Sequence, residues 1–137
     1  MRTLGLDLGQ KRIGVALGDA EGILATPLTV IDAVDTEQAI ANISGLCDQF
    51  QVRYIVVGLP ISMNGTLGKQ AEVVQHFIGR LNCTLKIPID TWDERLSSVQ
   101  ADRAMMATGT KKHKKKQLRD AIAAAIILQG YLDSKKK

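Results

Sequence analysis

Leu4-Gly5-Leu6-Asp7-Leu8-Gly9-Gln10-Lys11-Arg12-Ile13-Gly14-Val15-Ala16-Leu17-Gly18-Asp19 is the stretch on which the fold turns. Period-2 alternation sets Leu4, Leu6 and Leu8 on one face of a strand and Gly5, Asp7 and Gly9 on the other. Ile13, Val15 and Leu17 repeat the division on a returning strand, whose second side carries only Gly14, Ala16 and Gly18. The segment predicts a β-hairpin with one bulky face and one face bare except for Asp7. Glycine weakens a strand and marks close approach of a ligand or another backbone. The clearing around Asp7 therefore has three readings: metal ions with a phosphodiester, the phosphates of a nucleotide, or a tightly seated helix.

Working outward, Gly18 to Gly22 is turn material, and Ile23 to Val30 reads as a third antiparallel strand that Pro27 confines to an edge. Asp35 with Gln38 forms a helix-capping pattern, after which Ala39, Ile40, Ile43, Leu46, Cys47 and Phe50 recur at helical spacing. Val52 to Leu59 is nearly continuously apolar, the mark of a central strand covered on both sides, and Pro60 stops it. A loop through Asn64-Gly65 leads to a second helix with Ala71, Val74, Phe77 or Ile78, and Leu81 as its stripe. Leu85 to Thr91 reads as a fifth strand, weakened by Pro88. Ser97 with Gln100 opens a third helix through Met106, a lysine loop follows Gly109, and a last helix runs from about Gln117 to Leu132. This order predicts an α/β domain over 1–137: a mixed five-stranded sheet, three strands antiparallel and then two parallel, with helices on both faces.

A chain of 137 residues can bury a real core without staples. Cys47 and Cys83 are isolated from any metal-ligand or redox pattern. The longest apolar run, Ala121 to Leu128, is too short to span a membrane, and the sequence shows no charged-then-apolar leader, so a soluble cytoplasmic protein is expected. The net charge is +4, and half of the 18 basic residues fall in two clusters: Lys111, Lys112, Lys114, Lys115, Lys116 and Arg119, then Lys135, Lys136 and Lys137. Such concentration suggests a polyanion partner. With only 4% aromatics the chain lacks stacking platforms, so it is expected to hold nucleic-acid backbones rather than read bases.

Three acids are placed where chemistry could occur. Asp7 stands on the first strand, Glu94 just past the fifth, and Asp120 in the expected first turn of the last helix. Asp120 shares a helical stripe with Ala124, Ile127 and Tyr131, so it faces inward; a helix N-terminal acid would complement the macrodipole but has no need of that orientation. Asp93-Glu94 lies at a strand's C-terminal edge, where α/β sheets carry their sites, although a solvated turn beside Arg95 would look the same. Carboxylates meeting at one place need cations between them, and hard oxygen donors suit Mg²⁺ or Mn²⁺. Two such ions roughly 3.5–4 Å apart can activate water and clamp a scissile phosphate. Lys11 and Arg12 at the hairpin tip, Arg95, and Lys111, Lys112, Lys114, Lys115 and Lys116 would supply phosphate contacts. The histidines, His76 and His113, are given no part.

Four segments carry a resemblance. Leu4 to Ala16, Ile55-Val-Val-Gly-Leu-Pro-Ile-Ser-Met-Asn-Gly-Thr, Trp92-Asp-Glu-Arg-Leu-Ser-Ser and Asp120-Ala-Ile-Ala-Ala-Ala-Ile-Ile-Leu resemble, in order, the YqgF (RuvX) family. These are described as pre-16S rRNA nucleases and as Holliday-junction-resolvase-like, with a ribonuclease H-like fold. The resemblance implies Asp7, Glu94 and Asp120 as metal-binding catalytic acids and a role in maturing the 5′ end of the small-subunit rRNA precursor. Two departures stand out. Resolvases of this fold carry an acid at the end of the fourth strand, where this chain has Gly58-Leu59-Pro60, and Asn64 stands where Asp is often expected. Asp7-Leu8-Gly9 followed by Gly14-Val15-Ala16 is also similar to the phosphate-binding hairpin of the actin, Hsp70 and sugar-kinase group, but that group encloses nucleotide between two such domains. The resulting expectation is a metal-dependent nuclease, monomer or homodimer, acting on pre-rRNA. Resolution of DNA junctions and a non-catalytic, RNA-binding role in ribosome assembly are the alternatives.

Overall fold

The computed structural model describes residues 2–9, 11–59, 69–93 and 112–135, with side chains described over 2–9, 11–59, 71–93 and 119–135. Its elements in order are β1 (Arg2–Leu8), β2 (Arg12–Gly18), β3 (Ala25–Asp32), α1 (Thr36–Phe50), β4 (Val52–Leu59), α2 (Lys69–Thr84), β5 (Ile89–Asp93) and α3 (Lys112–Ser134). The sheet has the order β3-β2-β1-β4-β5. β1 pairs antiparallel with β2, β2 antiparallel with β3, and β4 lies parallel to both β1 and β5. This is the mixed sheet that the alternation of segments implied.

The hairpin divides its side chains as its sequence requires. Leu4, Leu6, Ile13 and Val15 join Ile55 and Val57 of β4 under α1 and α2, against Ala39, Ile40, Ile43, Cys47, Val74 and Leu81. On the opposite face Ala16 and Val56 pack with Ala124, Ala125, Ile127, Leu128, Tyr131 and Leu132 of α3. Helices thus cover both faces. Asp35 caps α1, its carboxylate accepting from Gln38 N at 3.2 Å. The helix ends at Gln51, whose left-handed φ of 57° turns the chain directly into β4.

Three boundaries differ from expectation. β3 starts at Ala25 rather than Ile23, because the preceding turn is closed by Asp19: its N–H donates to Leu24 O at 3.0 Å and its carboxylate accepts from Ile23 N at 2.7 Å. β5 runs from Ile89 to Asp93 rather than from Leu85 to Thr91. Leu85 still bonds back to Leu81 at the end of α2, and Pro88, which has no N–H for a ladder, contributes only its carbonyl, accepting from Ile55 N at 3.0 Å. Finally, Lys112 to Lys116 are helical and not a loop. Lysine is a good helix former, so a polar run without apolar periodicity can extend a helix whose packed part begins later. The helix expected from Ser97 to Met106 lies outside the described residues, as do Asn64 and its loop.

Candidate active site

The bare face of the hairpin receives α3. A Cβ built on Gly14 would overlap the backbone carbonyl of Asp120, and one built on Gly5 would come within 2.8 Å of Leu128 Cβ and 3.1 Å of the Ala124 carbonyl. Of the three readings of the clearing, the seated helix is therefore realised at these two glycines. It does not exhaust the space, because Asp7 stands directly opposite Gly14 in the β1–β2 register. Residues opposed in an antiparallel pair lie about 4.5–5.5 Å apart at Cα and share a face. The helix thus sets the Asp120 backbone against the partner residue of Asp7, at the C-terminal end of a central strand.

Asp120 lies eight residues beyond Lys112, the first residue of α3, and so falls in the third helical turn. The macrodipole acts within the first turn and gives no reason for an acid here. Its carboxylate is 31% exposed and pairs with Arg12, Nε to Oδ2 at 3.3 Å. Arg12 opens β2, two residues before Gly14, and residues 12, 14 and 16 project to the α3 side. The hairpin tip that carries it is held by Gly9 N donating to Arg12 O at 2.9 Å, and by Ala33 N donating to Lys11 O at 2.8 Å. Lys11 is exposed beside it.

At its far end α3 is fastened by a polar and aromatic cluster that sequence reading did not assemble. Tyr54 and Tyr131 both donate to Asp90 Oδ2, at 3.4 and 3.3 Å. Their rings stack with centroids 6.0 Å apart, and Trp92 meets Tyr131 edge-on at 6.1 Å. Burial, reinforced by Tyr54 and Asp90, pushes the Tyr131 phenol well above its ordinary range. The available signal was the stripe shared by Asp120 and Tyr131; that Asp90 belongs with them requires knowing that β5 starts at Ile89. Eleven residues of helix, about 16 Å, connect this anchor to Asp120. Cys47 is buried under α1, and its thiol is pushed up to about 11, chiefly by burial and further by Asp48, which suits a packing role.

The expected acids are placed as follows. The Asp120 backbone lies against Gly14, the register partner of Asp7; Glu94 lies outside the described residues, as do Arg95 and Lys111. Lys112, Lys114, Lys115 and Lys116 belong to the start of α3, with their side chains outside the described set. Asp93 pairs with Leu59, which packs toward α1 and α2, so the register turns Asp93 away from the face of Asp7. Among the described residues no three His, Cys, Asp or Glu side chains are grouped to hold a metal ion. What the described part supplies is two carboxylates on one sheet face, one of them already drawing a cationic side chain, and hard oxygen donors of this kind suit a divalent cation.

A mixed sheet in this order, with helices on both faces and Asp7 near the C-terminal end of the central strand, is a ribonuclease H-like fold. The same fold is found in T. thermophilus RuvC in complex with Holliday junction substrate, at a TM-score of 0.64 and 15% identity, covering 98% of this chain and 95% of that one. The Fowlpox virus resolvase in complex with Holliday junction DNA matches at a TM-score of 0.63 and 12% identity, with both chains covered completely at 100%. Sequence relatives are far closer. A protein of Clostridium kluyveri named "Putative pre-16S rRNA nuclease" is 46% identical over 133 residues, 97% of each chain. One of the same name from Geobacillus kaustophilus is 45% identical over 139 aligned positions, 99% of this chain and 100% of the relative. The family described as "RuvX: Holliday junction resolvase" matches residues 1–134, and the chain belongs to it.

Proposed function

We propose that this protein is a metal-dependent nuclease that hydrolyses phosphodiester bonds in structured RNA, processing the 5′ end of the pre-16S rRNA. The observation that carries this reading is the close seat of Asp120 on Gly14, opposite Asp7. It gives the bare glycine face and the inward acid on the last helix one common purpose. The relatives' names supply the substrate class.

Asp7 and Asp120 would hold Mg²⁺ or Mn²⁺ together with Glu94, which follows Trp92 by two residues in sequence. Bound there, two such ions would activate a water and neutralise charge on the scissile phosphate. Water then attacks phosphorus in line, the bond to the leaving oxygen breaks, and a 3′-hydroxyl and a 5′-phosphate remain. Lys11, Arg12, Arg95 and the lysines from Lys111 to Lys116 hold neighbouring phosphates, which positions substrate without specifying sequence.

The test is cleavage of a labelled 5′-extended small-subunit rRNA precursor in Mg²⁺ or Mn²⁺ by wild type, Asp7→Asn and Asp120→Asn. Cutting by wild type alone is expected. A four-way DNA junction is assayed in parallel, since the family's description names that substrate. Cleavage of the junction and not the precursor would replace the RNA reading; binding without cleavage of either by wild type would overturn catalysis in favour of an assembly role.

A further inference from the structure

Arg12 has a partner before any substrate arrives. Its Nε stands 3.3 Å from Asp120 Oδ2, and its reach is fixed by β2, because Gly14, two residues along the same face, touches the Asp120 backbone. The acid across the strand pair, Asp32, is engaged elsewhere, its Oδ1 accepting from Val34 N at 2.9 Å. Yet the guanidinium is not locked in place. Its side chain is 60% exposed, and beside it opens a shallow cleft of about 540 Å³ bounded by Lys11, Val30, Asp32 and Val34.

Exposed pairs of this kind contribute little to stability, so the partner can be exchanged. A divalent cation taken up by Asp120 competes with Arg12 for the same carboxylate oxygens. A guanidinium released from a carboxylate keeps a planar fork of donors that matches phosphate oxygens equally well. We propose that Arg12 exchanges partners: in the metal-free protein it neutralises Asp120, and metal uptake releases it to a phosphate of the nucleic-acid substrate. This rests on the reading of Asp7 and Asp120 as a cation site. Arg12 then couples the two ligands, and by linkage each strengthens binding of the other.

Two binding measurements on the full chain test the exchange without relying on cleavage. In the first, Mn²⁺ is titrated calorimetrically into wild type, Arg12→Gln, Lys11→Gln and Asp120→Asn with no nucleic acid present. Arg12→Gln is expected to bind Mn²⁺ about two- to five-fold tighter, the range over which an exposed ion pair can hold a competitor back. Lys11→Gln removes the same charge from the adjacent residue and should change affinity less than two-fold, roughly the limit for a screened, unpaired surface charge. Equal gains in the two variants would overturn the exchange in favour of a general charge effect. Unchanged Mn²⁺ affinity in Asp120→Asn would instead overturn the cation site itself, a separate failure.

In the second, a labelled structured RNA is bound in EDTA and in Ca²⁺, a hard cation with the same ligand preference. Arg12→Gln should weaken binding roughly three- to ten-fold in Ca²⁺ and less than two-fold in EDTA, where Arg12 is still held by Asp120. Equal losses in both conditions would contradict the exchange. Arg12→Lys, which keeps the charge and loses the fork, should fall between wild type and Arg12→Gln in both measurements.

Discussion

Toward α1 and α2 the sheet presents Leu4, Leu6, Ile13, Val15, Ile55 and Val57, all fully buried; toward α3 the residues alternating with them include Gly5, Asp7, Gly14, Ala16 and Val56. The first face fills space with branched side chains, each contributing roughly 1.5–3 kcal/mol by leaving water. The second removes side chains so that a helix rich in alanine can approach backbone to backbone. Volume stabilises the fold on one side. On the other, its absence lets the Asp120 backbone approach Gly14, the strand partner of Asp7, although Asp7 and Asp120 are 113 residues apart in sequence (120 minus 7). Substitutions on the two faces should therefore separate stability from chemistry.

The largest effect is expected at Asp7. Asp7→Asn should lower cleavage on the order of 10³-fold, about 4 kcal/mol of transition-state stabilisation, with stability changed by less than about 1 kcal/mol in a urea melt. Comparable activity in this variant would remove Asp7 from the site. Ile55→Ala, on the opposite face, should show the reverse pattern. Loss of a fully buried branched chain from the larger core should cost about 3 kcal/mol, read as a lower urea midpoint, while cleavage per folded molecule stays within two-fold of wild type.

A smaller effect belongs to the lysines at the start of α3. Lys114→Ala with Lys115→Ala should weaken RNA binding about ten-fold whatever the sequence, and make its dependence on log salt shallower by roughly 1.5. Sequence-selective loss in a filter-binding assay would give these residues a reading role instead. The smallest effect is a pH dependence from the larger core. The Cys47 thiol titrates at about 11 in the folded chain against an ordinary 9.0, so its contribution is complete below pH 9 and is lost as pH rises from 9 toward 11. Wild type should lose about 1 kcal/mol more than Cys47→Ala between pH 8 and pH 10; parallel pH profiles would mean that the thiol is not held neutral by burial.

Sequence made the larger core easy to see, because period-2 alternation in Leu4 to Leu17 and helical periodicity in Ala39 to Cys47 report burial directly. The smaller face was harder for a physical reason. Missing side chains have no periodic signature of what replaces them, so Gly5 and Gly14 announced a close approach without saying by what. The stripe Asp120, Ala124, Ile127 and Tyr131 held the answer, and it pointed Asp120 inward correctly even though the helix starts earlier than apolar spacing suggested. The Arg12–Asp120 pair was not legible at all: Arg12 read as one more phosphate contact, because an ion pair between residues 108 positions apart (120 minus 12) depends on the helix seat rather than on local pattern. The anchor at Asp90 was hidden by Pro88, which obscured where β5 begins.

If the glycine face serves to bring Asp120 toward Asp7, Gly14→Ala should disable the site. The added methyl must push the Asp120 backbone away, at a cost of about 1–3 kcal/mol in stability. It is compared with Ile55→Val, a core change of similar size costing about 0.5–1.5 kcal/mol, and precursor cleavage is measured per folded molecule. At least a ten-fold loss is expected for Gly14→Ala and a change within two-fold for Ile55→Val. Equal activity in the two variants would leave the close seat of α3 as packing alone and remove Gly14 from the chemistry.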